Sequence, residues 1–207
     1  MNVEVDGAIV AVEPGATLLD AARAAGRRVP TLCFDDRLAP FGACRVCLVV
    51  ADGRTVAACT TPCRDGVRIA TVDERARRIA ANVVELVLSE LPEPPAPQTE
   101  LALVAAELGV GRPRWTGAVH EPRRDDRHPY LSFRHELCIS CGRCVRACDE
   151  VQGAFALTAT GRGFESNVAA GLDAGFADST CVSCGACADT CPTEAIAERF
   201  LLEIAGD

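Results

Sequence analysis

Leu137-Cys-Ile-Ser-Cys-Gly-Arg-Cys-Val-Arg-Ala-Cys148 recurs 43 residues later as Thr180-Cys-Val-Ser-Cys-Gly-Ala-Cys-Ala-Asp-Thr-Cys191, with Pro192 following. Each copy spaces its cysteines C-x2-C-x2-C-x3-C, the run found in bacterial ferredoxins with two clusters. Three thiolates on a tight loop wrap one face of a four-iron cubane. The fourth, carried onto the next helix, points away toward the other cluster. The spacing therefore predicts that Cys138, Cys141, Cys144 and Cys191 hold one [4Fe-4S] centre, and Cys148, Cys181, Cys184 and Cys187 the other. Paired C-x2-C elements also make zinc sites, but a third cysteine at the same interval and a fourth at x3 is not a zinc-ribbon spacing. Two copies are too few for a solenoid and indicate a pseudo-twofold module. Cys144 and Cys148, assigned to different clusters, lie within about 14 Å if the chain is extended and about 6 Å if it is helical. Clusters that close can exchange electrons.

Outward from this repeat, the cysteines divide the chain. None occurs in the 74 residues before Cys138, and five lie between Cys33 and Cys63. Cys33, Cys44, Cys47 and Cys59 are spaced C-x10-C-x2-C-x11-C, which departs from the plant-type run but keeps its central pair and a distant fourth ligand. The surrounding sequence predicts a hairpin over Val3 to Val12 turning at Asp6-Gly7, and a helix from Ala16 to Ala25 stopped by Gly26. Two further strands, Arg45 to Val50 and Thr55 to Ala58, flank Asp52-Gly53. Strand, strand, helix, strand, strand is the order of a β-grasp module, so these four cysteines are assigned to a [2Fe-2S] centre. Gly42 and Ala43 are small enough to let backbone N–H groups approach the sulfurs. Cys63 could substitute as a ligand but reads as a spare thiol beside Pro62 and Arg64.

Between the cysteine modules, the capping box Thr71-x-x-Glu74 predicts a helix with an apolar stripe of Ile79, Val83, Leu86 and Val87. Pro92, Pro94, Pro95 and Pro97 end it in an extended linker. Thr99 can cap a second helix that stops at Gly109. Residues 112–130 show no periodicity and read as a loop. The expected class is α+β: a [2Fe-2S] β-grasp domain over 1–72, a helical and Pro-rich connector over 73–130, and a bacterial-type 2[4Fe-4S] ferredoxin domain over 131–207.

Composition narrows the function. The chain has 207 residues, 13 cysteines and a formal charge of -8, and all 21 basic residues are arginine. Lysine Schiff-base chemistry is thus excluded, and the acidic balance disfavours a nucleic-acid partner. No apolar run approaches the roughly 18 residues of a membrane helix, so direct membrane insertion is not expected. An acidic start, Met1-Asn-Val-Glu-Val-Asp6, is unlike a secretory signal and implies a reducing cytoplasm. Three four-thiolate clusters would take the formal charge to about -14, which Arg45, Arg143 and Arg146 between the ligands could offset. Ala186 and Asp189 replace the last two arginines in the second motif, so the two cubanes need not share a potential. Gly109-x-Gly111 and Gly161-Arg-Gly163 lack the final glycine of a dinucleotide fingerprint. His120, His128 and His135 belong to no nucleophile motif and read as structural; His128 and His135 could at most donate hydrogen bonds near a cluster. No catalytic residue is assigned.

The run Cys138-Ile-Ser-Cys-Gly-Arg-Cys-Val-Arg-Ala-Cys-Asp-Glu-Val-Gln-Gly153, with Gly161-Arg-Gly-Phe164, Cys181-Val-Ser-Cys-Gly-Ala-Cys187 and Cys191-Pro-Thr193, resembles the N-terminal iron–sulfur region of the catalytic subunit of NAD-dependent formate dehydrogenases. More distantly it is similar to the large iron–sulfur subunit of respiratory complex I and to the small diaphorase subunit of NAD-reducing hydrogenases. The Cys33 to Cys59 spacing also matches the family's [2Fe-2S] domain. Two departures stand out. Family members carry a one-histidine, three-cysteine motif, H-x3-C-x2-C-x5-C, after the connecting helix, where this chain has Glu85-Leu-Val-Leu-Ser-Glu-Leu-Pro92, so that cluster should be absent. The formate dehydrogenase chain would continue into a molybdopterin domain, whereas this sequence stops at Asp207. The resemblance implies a separate, cytoplasmic electron-transfer subunit that docks on a catalytic chain, either a molybdopterin formate dehydrogenase or a hydrogenase, and on a flavin- and NAD-binding diaphorase. A complex I-like enzyme, a stand-alone catalytic oxidoreductase and a zinc-bound scaffold are the alternatives.

Overall fold

The structure, a computed structural model, describes residues 1–115, 117–171 and 175–200. It divides into two compact units, one of residues 1–34, 40–86 and 103–114, the other of residues 35–39, 87–102 and 115–207.

In the first unit, β1 (Asn2–Val5) and β2 (Ala8–Ala11) form the expected hairpin. Its turn residues Asp6 and Gly7 both have positive φ, 48° and 85°, the twist that a two-residue loop requires. Val3 and Val5 point to the core while Glu4 lies between them, the period of two of a half-buried strand. Helix α1 (Leu18–Ala24) begins at a reciprocal cap between Thr17 and Asp20 and lays Leu18, Leu19, Ala21 and Ala22 into that core. β3 (Leu48–Ala51) and β4 (Arg54–Ala57) pair around Asp52-Gly53. The sequence reading missed β5 (Arg68–Ala70), which completes a sheet of order β2-β1-β5-β3-β4. β5 runs parallel to β1 and antiparallel to β3, so the central strand of the mixed sheet is also its shortest. With one buried side chain, Ile69, it offers no alternation to detect.

Helix α2 (Glu74–Glu90) is capped by Asp73, whose carboxylate accepts the Ala76 N–H at 2.8 Å. Thr71 does not cap it, because its N–H and hydroxyl both donate to Asp6. The fully buried face is Ala76, Ala80 and Val84, with Leu86 53% exposed, so the expected stripe is rotated onto the smaller side chains. Helix α3 (Glu100–Glu107) starts at Thr99, whose hydroxyl accepts the Ala102 N–H, and stops before Gly109 at φ 71°.

The second unit repeats itself as its cysteines do. Within the segment read as loop lies β6 (Arg124–Asp125), which pairs with β7 (Leu131–Arg134). The last strand, β10 (Ile196–Glu198), pairs with the other edge of β7. β8 (Leu157–Thr160) and β9 (Asn167–Ala170) form a separate hairpin. Helix α4 (Arg143–Arg146), continued by a wider π turn over Ala147–Gln152, and helix α5 (Ala186–Asp189) follow the two cysteine loops. Both loops use the same backbone: Ser140 and Ser183 at φ 51° and 60°, then Gly142 and Gly185 at 71° and 78°. Leu131, Phe133, Phe176 and Ile196 form the core with Cys144, Cys148 and Cys187. Among the described residues no helix is long and apolar enough to cross a membrane.

Candidate metal centres

In the first unit, Cys33, Cys47 and Cys59 are buried and Cys44 is half-buried. The Cys33 thiol accepts hydrogen bonds from the Cys44 and Cys59 thiols, which hold it well below the ordinary thiol range, and Cys59 likewise draws Cys47 down to about 7. Cys44 and Cys59 are pushed up by the same contacts and by burial. Four thiols linked through shared hydrogen bonds form a compact sulfur donor set, whose protons a metal would displace on binding. The Cys44 backbone N–H also donates to Cys33 Sγ at 3.4 Å. Gly42 turns the loop at φ 69°, and a Cβ there would meet Thr60 Cγ2 at 2.8 Å. Only glycine fits that turn. Cys63 is placed elsewhere: its thiol donates to the Thr17 carbonyl at 3.2 Å, and burial raises its pKa.

The second unit holds two small, partly open cavities. One is lined by Cys138, Cys141, Cys144 and Cys191, the other by Cys148, Cys181, Cys184 and Cys187. Cys148 and Cys191 thus each cross to the cavity of the other motif. The chain does this by carrying Cys144 and Cys148 on successive turns that begin at α4, and Cys191 just beyond α5. Apolar side chains close both cavities: Phe133, Ile139, Val168 and Ile196 around the first, Leu131, Leu157 and Phe176 around the second. Burial accordingly pushes Cys138 up to about 11 and Cys141 and Cys187 up to about 12, and raises Cys144 well above the ordinary thiol value. Among the described residues no group of three or more His, Cys, Asp or Glu converges on a point that one metal ion could occupy. A zinc site needs its sulfurs about 2.3 Å from one centre. The thiols surround a volume instead, and a soft four-sulfur donor set around a volume with apolar walls suits an iron–sulfur cluster.

Backbone donors serve these sulfurs as well. The Ala156 N–H donates to Cys148 Sγ at 3.2 Å and the Ser183 N–H to Cys181 Sγ at 3.4 Å. Of the three arginines singled out in the sequence, Arg143 is buried and donates to Glu100, Asp35 and Thr190. Arg146 donates to the Ala39 carbonyl, and Arg45 is exposed with its backbone at φ 56°. His120 stacks on Phe164 with ring centres 4.1 Å apart. His135 stacks on Phe133 and its Nδ1 faces Asn167 Oδ1 at 3.2 Å. Both are packing residues. His128 is buried against the second cavity, with Nε2 3.7 Å from Cys181 Sγ, and burial lowers its pKa.

Comparison with known proteins gives the same division. Residues 1–74 match the family of 2Fe-2S iron–sulfur cluster binding domains, and residues 137–195 match the 4Fe-4S dicluster domain. The NADP-reducing hydrogenase subunit HndD of Solidesulfovibrio fructosivorans is 31% identical over 210 residues, covering 96% of this chain and 36% of that protein. The NADPH-Fe(3+) oxidoreductase subunit alpha of Geobacter sulfurreducens is 34% identical over 172 residues, covering 79% of this chain and 20% of that protein. This chain thus spans about a third or less of the curated relatives it matches. A chain in the crystal structure of an NAD+-reducing [NiFe]-hydrogenase in the H2-reduced state superposes with a TM-score of 0.87 at 30% identity, covering 96% of this chain and 87% of that one. With a 2Fe-2S domain followed by a 4Fe-4S dicluster domain, and with that likeness over nearly its whole length, the chain belongs to the iron–sulfur family that includes this NAD+-reducing hydrogenase chain.

Proposed function

We propose that this chain relays single electrons through one [2Fe-2S] and two [4Fe-4S] clusters as the iron–sulfur component of an NAD(P)-linked, hydrogenase-type complex. The observation that carries the reading is the pair of four-cysteine cavities with exchanged fourth residues. In it, Cys33, Cys44, Cys47 and Cys59 hold the [2Fe-2S] centre, Cys138, Cys141, Cys144 and Cys191 one cubane, and Cys148, Cys181, Cys184 and Cys187 the other. Bound clusters supply one-electron storage.

The chain's own part is to hold, insulate and tune. Twelve thiols give up their protons to bind iron, the apolar walls exclude water, and the backbone N–H groups of Cys44, Ala156 and Ser183 stabilise sulfur charge. Cys144 and Cys148, one helical turn apart, keep the two cubane sites adjacent. Cys184 is exposed, so the second cubane site reaches the surface, where an electron can pass to a partner. The proposed domain bounds are 1–72, 73–130 and 131–207.

The partners proposed are a hydrogenase catalytic subunit and a flavin- and NAD(P)-binding diaphorase, because the relatives' names are those of NAD(P)-reducing hydrogenases and of an NADPH-Fe(3+) oxidoreductase. The run Cys138 to Gly153 supports a second reading, a molybdopterin formate dehydrogenase as the catalytic partner. Anaerobic purification of the assembled complex, followed by dye reduction with hydrogen, formate or NAD(P)H, tests both. Hydrogen and NAD(P)H are expected to be active. Activity with formate instead of hydrogen would move the assignment, and dye reduction by the isolated chain alone would refute the relay.

A further inference from the structure

The His128 ring is 3% exposed and packs edge-on against Phe176 and Tyr130. Its Nδ1 accepts two backbone hydrogen bonds, from Tyr130 N–H at 3.1 Å and Leu131 N–H at 3.0 Å. A ring nitrogen that accepts carries no hydrogen, so the tautomer is fixed with its proton on Nε2. That N–H faces Ser183 Oγ at 3.1 Å and Cys181 Sγ at 3.7 Å. The distance to sulfur is ordinary for so large an acceptor. Cys181 Sγ already accepts the Ser183 backbone N–H, so His128 would be its second donor.

The repeat shows that this contact is not part of the shared cysteine-loop design. Ser140 occupies the place of Ser183 in the first motif with the same left-handed backbone, yet its hydroxyl donates to the Ser166 carbonyl at 3.0 Å. His135, near the first motif, has its Nδ1 at Asn167 and its face on Phe133. The two cavities are alike in their cysteines, and the serines at the matching loop positions make different hydrogen bonds.

We propose that His128 is a positioning residue for the second cubane site, donating its Nε2–H to the Cys181 sulfur, in part shared with Ser183, and so raising the reduction potential of that cluster relative to the first. The inference rests on the assignment of Cys148, Cys181, Cys184 and Cys187 as cluster ligands. Reduction adds negative charge that spreads onto the ligating sulfurs, and a fixed donor stabilises the reduced form more than the oxidised one. The ring needs no change of protonation to do this.

The turn-holding and sulfur-facing roles of His128 can be separated. In His128→Asn, the amide oxygen can take the place of Nδ1 and accept the two backbone N–H groups, but the side chain is too short to reach Cys181. In His128→Gln, the amide nitrogen can take the place of Nε2. The experiment is a redox titration of the full chain followed by electron paramagnetic resonance, with iron analysis of each sample. His128→Asn should lower the potential of one cubane, by up to about tenfold in its redox equilibrium, or about 59 mV for one electron. The other two clusters should not move, and His128→Gln should recover most of the shift. A ring that only holds the turn would make His128→Asn behave as wild type and His128→Gln the perturbed variant; that pattern, or no shift in either, overturns the proposal. If His128→Asn fails to retain iron, Ser183→Ala decides: it leaves the hydrogen to the sulfur alone and should raise the same cubane's potential, and an unmoved potential overturns the proposal. A wild-type chain without iron would instead overturn the relay reading on which this contact depends.

Discussion

Replacing Arg143 with Met removes a guanidinium that is 4% exposed while keeping most of its apolar stem. Arg143 Nε donates to Thr190 Oγ1 at 3.0 Å, and Nη2 reaches Glu100 at 3.0 Å and Asp35 at 3.2 Å, all within the second unit. Breaking a buried ion pair from one side costs about 3–5 kcal/mol, chiefly because the remaining charge is left buried. Here the cost is smaller. Glu100 is 48% exposed and can be taken up by water, and Asp35 keeps Arg37 at 3.0 Å and the Thr190 hydroxyl at 2.8 Å. A loss of about 2–3 kcal/mol follows, equivalent to a fall in Tm of about 4–12 °C for a chain of this size. Anaerobic thermal unfolding, followed by circular dichroism and by the visible absorbance of the clusters, measures it. Because both changes remove the same Arg143–Asp35 contact, Arg143→Met with Asp35→Asn should be more stable than the sum of the two single changes predicts. A fall of less than about 2 °C, or strict additivity, would refute the reasoning.

Exchange of the fourth residues predicts that Cys191→Ser disturbs the cubane of Cys138, Cys141 and Cys144, and Cys148→Ser that of Cys181, Cys184 and Cys187. Paramagnetic spectra that showed each change affecting its own motif's cluster would contradict this. Gly42→Ala, which drives a Cβ to 2.8 Å from Thr60 at positive φ, should cost about 1–3 kcal/mol and release the [2Fe-2S] centre before either cubane, as visible circular dichroism on heating would report. In metal-free protein, burial holds Cys138, Cys141 and Cys187 at about 11, 12 and 12, above the ordinary 9.0. These thiols are protonated below pH 9, and the stability their neutral form contributes falls as the pH rises from there through 11 and 12. Alkylation followed by mass spectrometry should modify exposed Cys184 first at pH 8, with Cys138, Cys141 and Cys187 following only as the pH climbs; equal rates at pH 8 would count against it.

The parts of the molecule visible in the sequence were those set by local chemistry. Asp6-Gly7 and Asp52-Gly53 marked their hairpins because few residues tolerate two successive positive φ angles. The cysteine intervals marked the two cavities because a short loop has few ways to present three sulfurs to one volume. What stayed hidden depended on distant partners. β5 is a strand because β1 and β3 lie on either side of Ile69, not because of its own pattern. Thr71 is drawn away from capping by its hydrogen bonds to Asp6, and α2 buries Ala76, Ala80 and Val84 rather than the larger apolar side chains. Arg143 and Arg45 looked equivalent beside their cysteines, yet one is buried among carboxylates and the other exposed. His128 was legible as a residue that could donate a hydrogen bond near a cluster, but the sulfur it would meet was not. His128 and Cys181 lie 53 positions apart, and nothing in the sequence between them signals their contact.

Metal and sulfide analysis of anaerobically isolated chain, joined to paramagnetic spectra before and after reduction, bears most directly on the proposed relay. About ten irons per chain, matched by acid-labile sulfide and by signals of one two-iron and two four-iron centres, is the predicted result. Stoichiometric zinc, or iron far below that level after reconstitution, would contradict it.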